Sequence, residues 1–202
     1  MSAPQPSIAT QRCTWPGTDP LALRYHDEEW GVPTRDDGTH FEFLVLESAQ
    51  AGLSWMTILR KREHYQQAYY GFDPQRVAEM GPTEVEGLLA NPGIVRNRRK
   101  IEASINNAMR FLEIQREVGS FAAYLWRCVA DRPVTNHWQR MDQLPATTEL
   151  SIQVAGDLKR RGFKFLGPTT VYAHLQATGL VNDHLVSCYR HGQLASAQEG
   201  NP

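Results

Sequence analysis

Four residues near the two ends of the chain are of the types that hold a metal ion: Cys13 and His26 at the front, His184 and Cys188 at the back. Thiolate sulfur and imidazole nitrogen suit zinc, and a Cys₂His₂ set fills its tetrahedron. His184 and Cys188 are four apart, which puts them on one face if the segment is helical. Cys13 and His26 are thirteen apart, a separation that a short loop and one helix can close. A metal bound by all four would tie the N-terminal segment to the C-terminal one. The spacings are weakly specific, and the gap between the two pairs fits no zinc finger. Spacing alone therefore leaves a second reading open, two buried cysteines and two surface histidines.

Glu47 is the second candidate. It lies inside the apolar run Phe43 to Ala51, with Phe43, Leu44, Gln50 and Ala51 three and four positions away. A carboxylate there is costly to bury unless it faces a cleft, pairs, or takes up a proton. That makes it a candidate acid/base or recognition group; a Glu on the solvated side of a half-exposed helix is the other reading. Trp15, Tyr25, Trp30 and Trp55 accompany these features. Aromatic faces stack on nucleobases, and a cationic base gains a cation–π attraction. Core packing serves the same residues equally well. Trp15 and Tyr25 lie within two residues of Cys13 and His26, so a metal would also fix their positions.

Residues 88 to 96, Leu-Leu-Ala-Asn-Pro-Gly-Ile-Val-Arg, fall between two helical patterns. A short Gly-containing hairpin there would expose backbone N–H groups at the start of the second helix, where the dipole also suits a phosphate. Arg96, Arg98, Arg99 and Lys100 add charge beside it. This is the layout of a helix-hairpin-helix, a clamp on the DNA backbone that reads no sequence. An ordinary pair of helices with a soluble face fits the same residues.

The elements that must position these groups read as helical almost throughout, so the expected class is all-α. Asp19-Pro20 is an N-cap with Pro at the first helical position, and Gly31 closes that helix. Residues 41 to 61 form a central helix, or a pair broken near Gly52. Thr83 and Glu86 make a capping-box pattern. Ile101, Ile105, Ala108, Met109 and Leu112 form a helical stripe. Ser120 caps a short helix, and further helices end at Gly162 and Gly179. Residues 1 to 11 read as a disordered tail, 12 to 189 as one helical unit, with two lobes around a cleft as a variant of that division, and 190 to 202 as a flexible tail.

The chain has 202 residues, 41% of them hydrophobic, which suits one sizeable core. A net charge of −1 excludes a strongly cationic coat but not a local basic face. Arg60-Lys61-Arg62, Arg96 to Lys100, and Lys159 to Lys164 are three such runs. Each alone reads as a solvated helix face; together they point to a polyanion. Three cysteines argue against a disulfide scaffold, and Cys128 reads as simply buried in its apolar run. Neither a signal peptide nor a membrane span is legible, so the expected location is cytoplasmic.

Together the motifs resemble the methyladenine glycosylase I (Tag) family of the helix-hairpin-helix superfamily, from about Arg12 to Tyr189. The residues carrying the likeness are Arg12 to Trp15, Asp19 to Leu21, Tyr25 to Pro33, and Glu47 leading into residues 50 to 55. Gly93 to Arg96, Arg161 to Phe165, Gly167 and Gly179 to His184 continue it. The resemblance implies a monofunctional enzyme that excises 3-methyladenine from alkylated double-stranded DNA and leaves an abasic site. It implies one structural zinc on Cys13, His26, His184 and Cys188, and a base pocket of Trp15, Tyr25, Glu47 and Trp55, with Glu47 the catalytic candidate. DNA contacts fall on Gly52 and Leu53 as a wedge, on Gly93, Ile94, Val95 and Arg96, and on Lys164. Where the family often has a tyrosine, this chain has Ala22, which implies a looser pocket. One flipped base needs no second subunit, so a monomer is expected. Two rivals remain at this point: a non-catalytic lesion-binding module, and a glycosylase/lyase using Lys100 or Lys164 as its amine.

Overall fold

The computed structural model describes residues 11 to 199, without side chains for 197 to 199. The expected tail over residues 1 to 10 lies outside the described residues. Eleven helices are described: α1 (Pro20–Glu28), α2 (Asp37–Gln50), α3 (Trp55–Leu59), α4 (Arg62–Ala68), α5 (Pro74–Ala78), α6 (Pro82–Ala90), α7 (Arg98–Val118), α8 (Phe121–Arg127), α9 (Glu149–Arg160), α10 (Pro168–Ala177) and α11 (Tyr189–Glu199). Among the described residues the one strand pairing is parallel, between β1 (Val134–Thr135) and β2 (Val181–Asn182). It straps the 131–147 connection to the C-terminal segment.

Helix α2 is the axis of the fold. His40, Phe41 and every residue from Phe43 to Ala49 are buried, so it is enclosed on all sides rather than amphipathic. It packs on α7, α8 and α10 and turns at its end into α3. Its first turn is anchored by Asp37, whose carboxylate accepts from Gln115 Nε2 at 2.6 Å, Ser120 Oγ at 2.8 Å, Phe121 N at 3.0 Å and Ala122 N at 2.8 Å. One side chain thus joins α2 to the end of α7 and the start of α8. Burial alone would raise the Asp37 pKa, but these four donors outweigh it and hold it below the ordinary value. A carboxylate depressed on folding stabilises above its unfolded pKa and loses that contribution as pH falls through the folded value. Asp37→Asn is therefore expected to cost about 2 kcal/mol at neutral pH. Chemical denaturation across acidic pH should show the gap between variant and wild type closing as pH falls; a gap constant with pH would refute the account.

The C-terminal segment passes close behind α1. At Gly179, in the left-handed region at φ +72°, an added Cβ would stand 2.3 Å from the Val32–Pro33 peptide. No side chain fits, so this glycine sets how tightly β2 lies against the chain leaving α1.

Several expectations change. The helix beginning at Pro82 is capped from Gly81, whose N–H donates to Glu84 Oε2 at 2.9 Å, while Glu86 pairs with Arg98 instead. Met109 is exposed and stands off the α7 stripe. Cys128 is exposed at the end of α8, not buried. After Tyr189 the chain continues as α11 where a flexible tail was expected. That polar helix is held by tertiary contacts: Asn182 Nδ2 donates to the His191 carbonyl at 3.2 Å, and Leu194 is buried. No helix among the described residues is long and apolar enough to cross a membrane.

Candidate active site and metal centre

The four metal-type residues come together and are all buried. Their ligand atoms lie within 4.8 Å of one another. Cys13 Sγ is 3.6 Å from His184 Nδ1, and Cys188 Sγ is 3.5 Å from both His26 Nε2 and His184 Nδ1. Both histidines are fully enclosed, so the surface reading of them fails. His26 Nδ1 donates to Asp27 Oδ1 at 2.8 Å, and His184 Nε2 donates to the Trp30 carbonyl at 2.9 Å. Each bond fixes the tautomer that turns the other ring nitrogen to the sulfurs. The Leu185 N–H points at Cys13 Sγ at 3.3 Å. His184 and Cys188 do not share a helix, as their spacing suggested. They sit on a turn ahead of α11, closed by Cys188 N to Leu185 O at 2.7 Å. This group could hold a metal ion.

The same cluster braces a cavity. The His184 ring contacts Trp30 at 4.6 Å between centroids, and the His26 ring contacts Trp15 at 5.7 Å. Trp15 and Trp30 then line a cavity of about 230 Å³ with Tyr25, Glu47, Gln50, Trp55, Met141, Leu144, Ala173 and Gln176. That is below the range of about 300–1,000 Å³ for drug-sized ligands and suits one planar base. Tyr25 and Trp55 stand 5.2 Å apart as adjacent walls. All four residues expected in the pocket line it. Ala22 is buried in α1 and is not among the lining residues. Sequence reasoning missed Gln50, Ala173, Gln176, Met141 and Leu144 as wall residues. Gln50 was within reach, one helical turn from Glu47, but nothing local marks Met141 or Leu144.

Glu47 is 4% exposed, and burial pushes its pKa well above the ordinary value. Burial, with the nearby Glu47 charge, also pushes the Tyr25 hydroxyl up, so it stays a donor. Two buried indole nitrogens of the lining residues lack a hydrogen-bond partner, Trp15 Nε1 and Trp55 Nε1, while Glu47 Oε2 faces His174 Nδ1 at 3.2 Å. Native interiors leave few such atoms unpaired, and their concentration at one cavity marks where a polar ligand would complete them.

The turn leaving α2 presents Leu53, which is 42% exposed, beside the cavity residues Gln50 and Trp55. The connection from α6 to α7 is a hairpin, but its parts differ from the expectation. Ile94 is buried in the core, and the Val95 N–H is taken by Tyr65 Oη at 3.1 Å. Gly93 donates to Asn91 Oδ1 at 2.8 Å, and a Cβ there would come within 2.8 Å of His64. Lys61 Nζ caps the hairpin carbonyls of Pro92 and Gly93 at 2.9 and 3.2 Å. Arg96 and Arg99 are exposed. Lys100 is not part of that charge. It is buried, and its Nζ donates to the carbonyls of Ala49 and Ala51 at 2.7 and 2.6 Å, closing the end of α2. Lys164 is exposed on a loop that Asn107 pins through both Lys164 N and O, at 2.8 and 2.9 Å.

A helical frame around an aromatic cavity with a buried carboxyl in its wall is the arrangement expected of a helical base-excising glycosylase. Comparison with known proteins gives the same class, since residues 15–191 match the family described as methyladenine glycosylase. The chain belongs to the methyladenine glycosylase family. It is 44% identical to DNA-3-methyladenine glycosylase 1 of Escherichia coli (strain K12), over 88% of this chain and 95% of that one. A crystal structure of 3-methyladenine DNA glycosylase I matches with a TM-score of 0.86 at 47% identity, covering 89% of this chain and 98% of that chain. A tyrosine-to-phenylalanine variant of such an enzyme, in complex with 3-methyladenine, matches with a TM-score of 0.86 at 40% identity, over 88% of this chain and 96% of that chain.

Proposed function

We propose that this protein flips 3-methyladenine out of alkylated double-stranded DNA and hydrolyses its N-glycosidic bond, leaving an abasic site. The observation that carries the reading is Glu47, a buried carboxyl in the wall of an aromatic cavity. The lesion is a cationic purine. Trp15, Tyr25 and Trp55 offer ring faces to it, and a carboxylate at Glu47 opposes its charge, so neutral adenine gains less. The bound 3-methyladenine of the related enzyme supports that substrate. Extrusion costs a few kcal/mol, and less for a damaged base. Exposed Leu53 is suited to fill the gap that the base leaves. The positive charge already weakens the bond, whose electron pair leaves with the base as a neutral purine. The sugar, left as an oxocarbenium ion, is then captured by water, whose proton is released to solvent. Such a leaving group needs positioning and water exclusion more than strong acid catalysis. Burial of Lys100 against the end of α2 removes one of the two candidate lyase amines.

The metal of this reading is one structural zinc. Tetrahedral bonds of about 2.3 Å to sulfur and 2.0 Å to nitrogen put the two ligand atoms about 3.5 Å apart. Three of the four sulfur–nitrogen separations, 3.5 to 3.6 Å, fit that edge, and all the ligand atoms lie within 4.8 Å of one another. Four protein ligands leave no position for water, so the ion would tie the termini together and steady Trp15 and Trp30.

The DNA-binding part of the proposal rests on the α6–α7 hairpin as a helix-hairpin-helix, with Gly93 and Ile94 shaping it and Arg96, Leu53 and Lys164 reaching the duplex. The first turn of α7 leaves the Arg98 and Arg99 N–H groups without intrahelical acceptors, as at any helix start, and these suit a phosphate. Arg96→Ala is expected to weaken binding alike for all sequences. The slope of log affinity on log salt should fall by about 0.9, one phosphate contact. A change of sequence preference in fluorescence anisotropy would contradict a backbone role.

The test of the function is chromatographic identification of purines released from DNA treated with a methylating agent. Release of 3-methyladenine without strand cleavage is expected. Folded protein that releases no base would overturn the reading.

A further inference from the structure

Behind Glu47, away from the aromatic walls, lies a line of buried polar groups that the excision chemistry has not used. Glu47 and His40 are seven residues apart on α2, and so on one face. Helix α10 lays His174 between them. Glu47, His174 and His40 are 4%, 2% and 0% exposed. His174 Nδ1 stands 3.2 Å from Glu47 Oε2, and neither atom has a hydrogen-bond partner elsewhere. His174 Nε2 is 3.0 Å from His40 Nδ1, and His40 Nε2 is 3.3 Å from the Thr34 carbonyl.

The far end of this line determines its protons. The Thr34 carbonyl only accepts, so His40 Nε2 carries hydrogen. Burial and the adjacent ring push the His40 pKa down to about 3, and burial pushes His174 to about 3. With both rings neutral, His40 Nδ1 accepts, His174 Nε2 donates to it, and His174 Nδ1 is left as a bare lone pair. That lone pair faces Glu47 Oε2. Two acceptors at this distance repel unless a proton lies between them. The other charged or titratable groups facing the line are Tyr25 from α1, which acts on Glu47, and Asp36 and Asp37, which act on His40.

We infer that Glu47 and His174 hold one proton between them, on Glu47 Oε2 in the free protein, and that it passes to His174 Nδ1 when a cationic base enters the cavity. This inference rests on the reading of the cavity as a site for a cationic purine. In the step the Oε2–H bond breaks and the Nδ1–H bond forms. Glu47 becomes the anion that meets the cation, and no proton is exchanged with solvent. The imidazolium is supported from behind, because its Nε2–H already donates to His40 Nδ1. Excision turns the base neutral, so the proton returns to Glu47 and the cavity loses its hold on the product. A neutral base never draws the proton across, so the relay favours the charged lesion. His174 and His40 are positioning residues here, since neither touches the base.

The experiment uses the full chain and a permanent cation, 3,9-dimethyladeninium, whose N9–methyl bond does not hydrolyse. Infrared difference spectra of the ligand-free protein at neutral pH should show a protonated carboxyl that disappears in Glu47→Gln and shifts in His174→Phe. Nitrogen-15 NMR should show His174 Nδ1 gaining hydrogen on addition of the cation, but not of neutral 9-methyladenine. Wild-type affinity for the cation should stay flat between about pH 6 and 8. His174→Phe must instead lose its proton to solvent, so its affinity should fall about tenfold per pH unit on acidification. Should His174→Phe fold poorly, His40→Leu is expected to show the same trend more weakly. A carboxylate Glu47 in the free protein, a neutral His174 with the cation bound, or parallel pH profiles would overturn the inference. The carboxyl band and the ligand-free histidine state test the shared proton even if no base is excised, so its failure is separable from that of the glycosylase reading.

Discussion

Cys188→Ala is expected to lower the melting temperature by roughly 10 °C or more while the protein that remains folded keeps most of its turnover. Zinc binding is worth about 10–16 kcal/mol in small zinc peptides, much of it expressed as folding free energy. If the cluster holds zinc as proposed, removing one of the four donors would leave three around a weakened site, and a loss of about 4 kcal/mol is a conservative share of that range. At about 2–4 °C per kcal/mol for a domain of this size, the shift is large. Turnover should survive because Cys188 lines no part of the cavity, and the His26 and His184 rings still pack on Trp15 and Trp30. Calorimetry together with metal analysis checks this. Wild-type protein stripped of zinc that melts unchanged would remove the ion from the account, and turnover lost in step with the metal at full folding would make it catalytic.

Glu47→Gln should do the reverse, sparing the fold and damaging the reaction. Glutamine has the same shape but carries no negative charge to meet the lesion. Loss of one preorganised electrostatic partner in a closed site typically costs 10²–10³ in rate, and about that loss is expected in single-turnover excision. Stability should move the other way. Burial raises the Glu47 pKa on folding. Below the unfolded pKa the carboxyl is neutral in both states. Above it the unfolded chain ionises and gains, so wild-type stability falls with rising pH until the folded pKa is reached. The variant lacks that slope and should melt higher than wild type at neutral pH. A variant with wild-type rate would move the chemistry away from Glu47, and one with lower stability at neutral pH would mean that the contact of the carboxyl with His174 outweighs the cost of its burial.

Much of the site could be read before any coordinates. The buried cluster of Cys13, His26, His184 and Cys188 was legible because residues able to hold a metal come from a short menu of types. Glu47 was legible because a carboxylate in an apolar run contradicts its surroundings. Trp15, Tyr25 and Trp55 were assigned to the pocket by the family resemblance, since core packing explains each of them equally well on its own. Other parts were misread for a common reason. Lys100 counts as surface charge in a basic run, yet it turns inward to the carbonyls that end α2. Val95 belongs to the expected clamp, yet its N–H is spent on Tyr65. The polar residues after Tyr189 have no apolar face to announce a helix, and α11 is held by partners far back in the chain, such as the Asn136 carbonyl that His191 reaches at 2.8 Å.

What the sequence determined by itself is the set of chemistries available: a thiolate–imidazole metal set, a carboxyl in apolar surroundings, ring faces for a base, and helices to carry them. Local patterns suffice for that, because capping, periodicity and residue type act over one or two turns. Which atoms face one another was decided only by tertiary structure. His40 and His174 are each one histidine in an apolar helix, 134 residues apart, and nothing near either predicts a shared hydrogen bond. Their contact exists because α2 is enclosed on all sides and α10 is one of the helices that enclose it, which places a second polar residue where a lone one would be left unpaired.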